Sequence, residues 1–170
     1  MRSELMLMAG YHAWAFERLY TNLLPLDDAA YRADCGLFFR SIHGTLNHLL
    51  LADRVWYARL QGEHYEVSGL DAELETERLA LEHALADHAP RWAQWIAAAD
   101  DARLAATLEY TNLAGTVFAN PLAAVLLHVF NHGTHHRGQI STALTAQGLA
   151  APELDLIAYL RGVGAPLPAV

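Results

Sequence analysis

Only one cysteine, Cys35, occurs in the 170 residues. An internal disulfide is therefore excluded, and a reducing compartment suits the chain. A basic run or arginine-rich stripe is also lacking. Lys and Arg number 11 against 19 Asp and Glu, a formal net charge of −8, so a nucleic-acid surface has little electrostatic support. The opening "MRSELMLMAG" carries Glu4 and has no secretory apolar core. The most apolar later stretch, 113–130, is broken by Asn120, Pro121 and His128, which argues against a membrane span. Repeats, low-complexity tracts and linkers are missing too, as are a phosphate loop, a dinucleotide fingerprint and a Ser-His-Asp arrangement. These absences predict a soluble, cytoplasmic, single-domain protein over residues 1–170, with neither nucleic acid nor membrane as partner.

What is present is apolar and helical. Hydrophobic residues make up 54%, and a chain of this length buries most of its apolar surface without cross-links. Ser3 reads as a helix N-cap, and a helix follows to about Leu24, stopped by Pro25. Its stripe is Leu5, Met8, His12, Leu19 and Leu23. A second helix is expected from about Gly36 to Leu60, with Phe38, Ile42, Thr45, Leu49, Trp56 and Leu60 on one face. Residues 61–70 read as a loop. A third helical pattern covers about 71–99, interrupted by Pro90. Thr, Tyr, Val and Phe around Asn112–Gly115 suggest a short hairpin or extended crossover. Asn120-Pro121 then reads as N-cap and first position of a fourth helix, which ends at Gln147 before Gly148. Pro152-Glu153 should open a short last helix to about Arg161, before an irregular tail. The expected fold is all-α, a four-helix bundle with a long crossover connection between helices three and four.

The fourth helix carries His128, His132, His135 and His136. Residues four apart share a helix face. Leu122, Val125, Leu126, Val129, His136, Ile140, Ala143 and Leu144 form the core stripe, with His132 one turn from His136 on its shoulder. Such a pair can aim two imidazoles at one ion. His128 lies a further turn along at the edge, His135 points away, and Arg137 projects on the other flank. A metal site needs a third protein ligand. His48 on the second helix, in line with Ala52 and Val55, is the best candidate, while His43 looks more exposed. Three neutral buried histidines without partners are costly, and one metal satisfies all three. A lone helical histidine is more often a surface or hydrogen-bonded residue, and His64, His83 and His88 are read so. For the pair alone, the metal and structural readings weigh equally. Asp53, on the apolar side of its helix, reads as a structural salt-bridge or hydrogen-bond partner rather than as support to a ligand histidine. Cys35 reads as a small hydrophobe. Trp14, Trp56, Trp92 and Trp95 read as core or interface.

"SIHGTLNHLLLADRVWYARL" at 41–60, "LEYTNLAG" at 108–115, "NHGTHHRGQI" at 131–140 and "LDLIAYLR" at 154–161 together resemble the DinB family, within the DinB/YfiT-like superfamily. The resemblance covers nearly the whole chain in order, and "NH-x-x-HHRGQ" is its most specific element. It implies a four-helix bundle, frequent homodimers and a divalent metal held by His48, His132 and His136. Zinc or nickel comes first, with iron, cobalt or copper as further candidates. Similar proteins include thiol-dependent S-transferases, an isomerase and suspected hydrolases, which implies a small-molecule thiol or water activated against an electrophilic substrate. Asp53, His128 and Tyr11 are the candidates for a general base. Many relatives have Tyr-Asn where this chain has Tyr11-His12, so His12 could be an added ligand or its support. The other class of function is a non-catalytic, stress- or damage-inducible metal-binding protein. A homodimer is also suggested by apolar residues outside the core stripes, such as Tyr57 and Trp14.

Overall fold

The structure is a computed structural model that describes residues 1–162. The irregular tail expected after Arg161 lies, from residue 163 onward, outside the described residues. The chain is mostly helical, with one short two-stranded sheet. Helix α1 spans Arg2–Leu23 and has Met1, not Ser3, at its N-cap position. A five-residue helix α2, Asp28–Arg32, is capped by Asp27, whose carboxylate accepts the Ala30 amide at 2.8 Å.

Helix α3 runs Ile42–Gln61 and starts six residues later than the apolar pattern suggests. The reason is local. Ser41 Oγ accepts the Gly44 amide at 2.9 Å and caps the helix. Before it, the backbone turns through positive φ at Gly36 and Arg40. Phe38 consequently lies outside the helix and is 80% exposed, not part of its buried stripe. The third pattern is also shorter than expected. Residues 71–77 are irregular, α4 is Arg78–His88, and α5 is Pro90–Ala98 with the proline in its first turn. Helix α6 follows at Asp101–Ala105.

The hairpin expected near Asn112–Gly115 is formed by β1, Thr107–Thr111, and β2, Val117–Pro121, antiparallel with Leu108 opposite Asn120. Asn112 Oδ1 accepts the amides of Ala114 and Thr116, and Gly115 takes φ +81° to complete the turn. Asn120 and Pro121 therefore both lie in β2, and Pro121, not Asn120, takes the N-cap position of the helix that follows, without a side-chain cap bond. Asn120 is held by strand pairing, and its side-chain oxygen is used by the Tyr110 hydroxyl. Helix α7, Leu122–Ala146, begins directly after the strand. It ends in a Schellman turn: Gly148 takes φ +76°, and Leu149 N donates to Leu144 O at 3.0 Å. The last helix, α8, is Leu156–Gly162, four residues later than its expected start.

Helix α1 packs against α5 and α7, and α3 against α4 and α7. Their buried side chains form two apolar clusters. One gathers Phe16, Leu19, Leu46, Leu49, Leu85 and Ile140; the other gathers Leu5, Leu60, Trp92, Ile96, Leu126 and Phe130. Between the two along the helices lie the buried polar residues His12 on α1, Asp53 on α3, His88 on α4, and His136 with Arg137 on α7. Further buried polar residues, His43, Thr45, Asn47 and His48, sit in the first half of α3 beside the first cluster. No helix among the described residues is long and apolar enough to cross a membrane.

Candidate metal centre

His132 and His136 are one turn apart on α7, so their rings sit side by side, with centroids 4.5 Å apart. His48 enters from α3. Its Nε2 lies 3.2 Å from His132 Nε2, and His136 Nε2 lies 3.1 Å from the same atom. Among the described residues these three form the one cluster whose ligand atoms lie close enough to share an ion. His48 and His136 are buried, and His132 is half-buried.

The far sides of two rings decide what the near sides can do. His48 Nδ1–H donates to the Leu70 carbonyl at 2.8 Å, and His136 Nδ1–H donates to Gln139 Oε1 at 2.8 Å. In the neutral rings both Nε2 atoms then carry bare lone pairs, and both face His132 Nε2. One proton on His132 can satisfy only one of them. A second proton would have to charge a ring, and the surroundings oppose that. Burial pushes His48 down to about 4 and His132 down to about 3, with neighbouring histidines adding to the effect. Burial also lowers His136. Three neutral imidazoles with lone pairs on one point suit a cation. The separations are close to the roughly 3.3 Å edge of a tetrahedral zinc–histidine site. The Leu70 and Gln139 contacts also fix ring orientation, as outer partners of metal-binding histidines do.

Phe39 covers one wall, stacked on the His48 ring at 3.8 Å and 17°. His135 is exposed, accepts the Gln139 side-chain amide at 3.1 Å, and takes no part in the cluster. His128 is exposed, its ring 5.7 Å from that of His132, beside the cluster rather than in it. His12 is fully buried and also outside it: its Nε2 lies 3.1 Å from Asp53 Oδ2. Tyr11 is committed as well, since its hydroxyl donates to the Leu154 carbonyl at 2.6 Å.

Three assignments from the sequence need correction. Arg137 does not project from a flank but is fully buried, its Nη1 3.3 Å from His12 Nδ1. His88, read as a surface or hydrogen-bonded residue, is buried, and its Nδ1 lies 3.8 Å from Asp53 Oδ2 with no hydrogen-bond partner among the described residues. His43 is buried too, its Nε2 2.6 Å from Glu73 Oε1. Periodicity missed these because each is paired with a group distant in sequence. Gln139 could have been suspected, three residues after His136 on the same face. Phe39 and the Leu70 carbonyl lie in irregular segments and left no such trace.

The family model described as "DinB family" matches residues 1–165. "Protein DinB" of Bacillus subtilis (strain 168) is 26% identical over 156 residues, covering 88% of this chain and 90% of that protein. The chain belongs to the DinB family.

Proposed function

We propose that this DinB-family chain binds one divalent transition-metal ion through His48, His132 and His136 and works as a metal-dependent enzyme of the S-transferase or hydrolase type. The observation that carries the reading is the meeting of three Nε2 atoms, two of them turned into acceptors by contacts on the far side of the ring. Zinc or nickel is the first candidate, with iron, cobalt and copper behind. When bound, such an ion supplies Lewis acidity that favours the deprotonated form of a thiol or water.

The chain's own residues do the rest. The triad stays neutral because burial disfavours its charged forms. Phe39 shields the His48 face from water. Of the three candidates for a general base, Tyr11 and Asp53 already serve Leu154 and His12. His128 is the one left, on the exposed edge of the cluster. The competing function is a non-catalytic, stress- or damage-inducible metal-binding protein, which favours a closed site. The half-exposed His132 and the cavity beside His128 favour the enzyme.

Metal analysis of the purified protein and of single His→Ala variants tests the site. Full tight metal retained by His48→Ala or His136→Ala, with loss in His128→Ala or His135→Ala, refutes the assignment. A transferase screen with several low-molecular-weight thiols and electrophiles, beside hydrolase assays, tests the activity. We further propose a cytoplasmic homodimer of one domain each. In each, α1, α3, α4 with α5, and α7 act as the four members of a bundle joined by the long crossover through the hairpin. Light scattering that shows only monomer at tens of micromolar removes the dimer.

A further inference from the structure

The groove between α3 and α7 does not stop at the triad. On α3, His48, Ala52 and Trp56 follow one another at helical spacing; on α7, His136, His132, His128 and Ala124 do the same. The two helices pack against each other, and the rows meet at both ends. His48 faces His132 and His136, and Trp56 packs edge-on against His128 with centroids 5.5 Å apart. At the Trp56 end lies a cavity of about 250 Å³ lined by Trp56, Tyr110, Asn120, Ala124, Val125 and His128. His128, in its wall, lies 5.7 Å ring to ring from His132 of the triad.

The lining specifies a ligand class. Trp56 and Tyr110 meet edge to face at 4.9 Å, and with His128 they present three aromatic rings to a small space. Among the described residues no carboxylate or ammonium lines it, so the cavity suits a neutral flat group. The Tyr110 hydroxyl donates to Asn120 Oδ1 at 3.0 Å, which leaves the Asn120 amide hydrogens free to donate to a guest. Arg59 stacks on Trp56 and Tyr110 at 4.4 and 4.9 Å without joining the lining, and holds those rings in place.

We infer that this cavity is the substrate pocket of the histidine site, and that it takes a planar aromatic or conjugated molecule bearing a hydrogen-bond acceptor such as a carbonyl or nitro oxygen. The inference rests on the metal-site reading for its link to the ion, but the pocket can be measured separately.

Acetophenone is a suitable unreactive probe, with methyl cyclohexyl ketone as the non-planar control and toluene as the control without an acceptor. In proton–nitrogen NMR of the full chain, acetophenone should move the Trp56 indole signal, identified by its loss in Trp56→Phe. Both controls should bind at least about tenfold more weakly. Ala124→Trp fills the cavity from an exposed position and should weaken acetophenone at least tenfold while metal content stays unchanged. In the cobalt(II)-loaded protein, acetophenone protons should relax faster than in the zinc-loaded form, and Ala124→Trp should remove the difference. Acetophenone binding unaltered by Ala124→Trp, or no shift at Trp56, overturns the pocket. Binding at Trp56 without cobalt-induced relaxation overturns its service to the histidine site. A wild-type protein that takes up no metal yet binds acetophenone at Trp56 removes the metal reading and leaves the pocket standing.

Discussion

Asp53 and Arg137, on facing helices, are joined through one imidazole. Arg137 Nη1 donates to His12 Nδ1 at 3.3 Å, and His12 Nε2 donates to Asp53 Oδ2 at 3.1 Å. All three side chains are buried. An arginine can only donate, so His12 Nδ1 must accept, which places the ring proton on Nε2, facing the carboxylate. Burial pushes the Asp53 carboxyl up, while the neighbouring His12 and His88 pull it down, and the net result lies below the ordinary carboxylate range. The bridge ties α1 and α3 to α7 within two turns of each triad histidine.

Removing one member of a buried ionic chain strands the others. Asp53→Ala is expected to cost about 3–5 kcal/mol, measured by urea unfolding with the metal removed. The paired change Asp53→Leu with Arg137→Met should cost less than the sum of the two single changes, because neither charge is left alone. Additive costs would show that the bridge carries no coupling.

Two glycines on α7 should respond with opposite signs. A Cβ on Gly133 would sit 2.8 Å from Arg137 Nη1 and from His12 Cε1, whereas a Cβ on Gly138 meets nothing within 4 Å. Gly138→Ala should stabilise by about 0.5–1 kcal/mol, as alanine does in a helix interior. Gly133→Ala forfeits that gain and should destabilise by about 1–3 kcal/mol by overpacking. Thermal melts of the two variants check the contrast.

The metal-free protein should lose stability as the pH falls below about 6.5. His48 and His132, held by burial at about 4 and about 3, titrate near 6.5 in the unfolded chain. Between those values the unfolded chain binds more protons, so the unfolding free energy declines with falling pH and levels off only below the folded values. The lowered Asp53 carboxyl extends the loss below its ordinary range near 3.8. Melting temperatures of chelator-treated protein from pH 8 to 4 test the slope. A flat profile would place those imidazoles in water.

Zinc should raise the melting temperature at pH 7.5 and at pH 5.5 alike, because burial keeps His48 and His132 of the folded chain unprotonated at both. Gln139→Ala should lower zinc affinity by about 10–100-fold by releasing the His136 ring. Gln139→Glu, which keeps an oxygen acceptor, should recover part of it. Competition titrations with a chromophoric chelator give the numbers.

The sequence alone determines the elements whose signals are local. The 3.6-residue period marks α1, α3 and α7, Pro90 marks the break between α4 and α5, and Asn112 with Gly115 marks the hairpin turn. The pairing of His132 with His136 is equally local, because one helical turn fixes it in any fold. His48 was legible only as an imidazole on an apolar flank. Its arrival at His132 depends on how α3 meets α7, and that relation is tertiary. The same holds for Arg137, which a helical wheel places on the other flank and which is buried where His12, 125 positions earlier in the sequence, meets it and links it to Asp53. Long-range partners decide whether a polar side chain can be buried, since only they replace its lost water. The start of α3 at Ile42, the stacking of Phe39 on His48, and the Leu70 carbonyl behind it depend likewise on irregular backbone without a period to read. Periodicity can assign a residue to a face; only packing decides what that face meets.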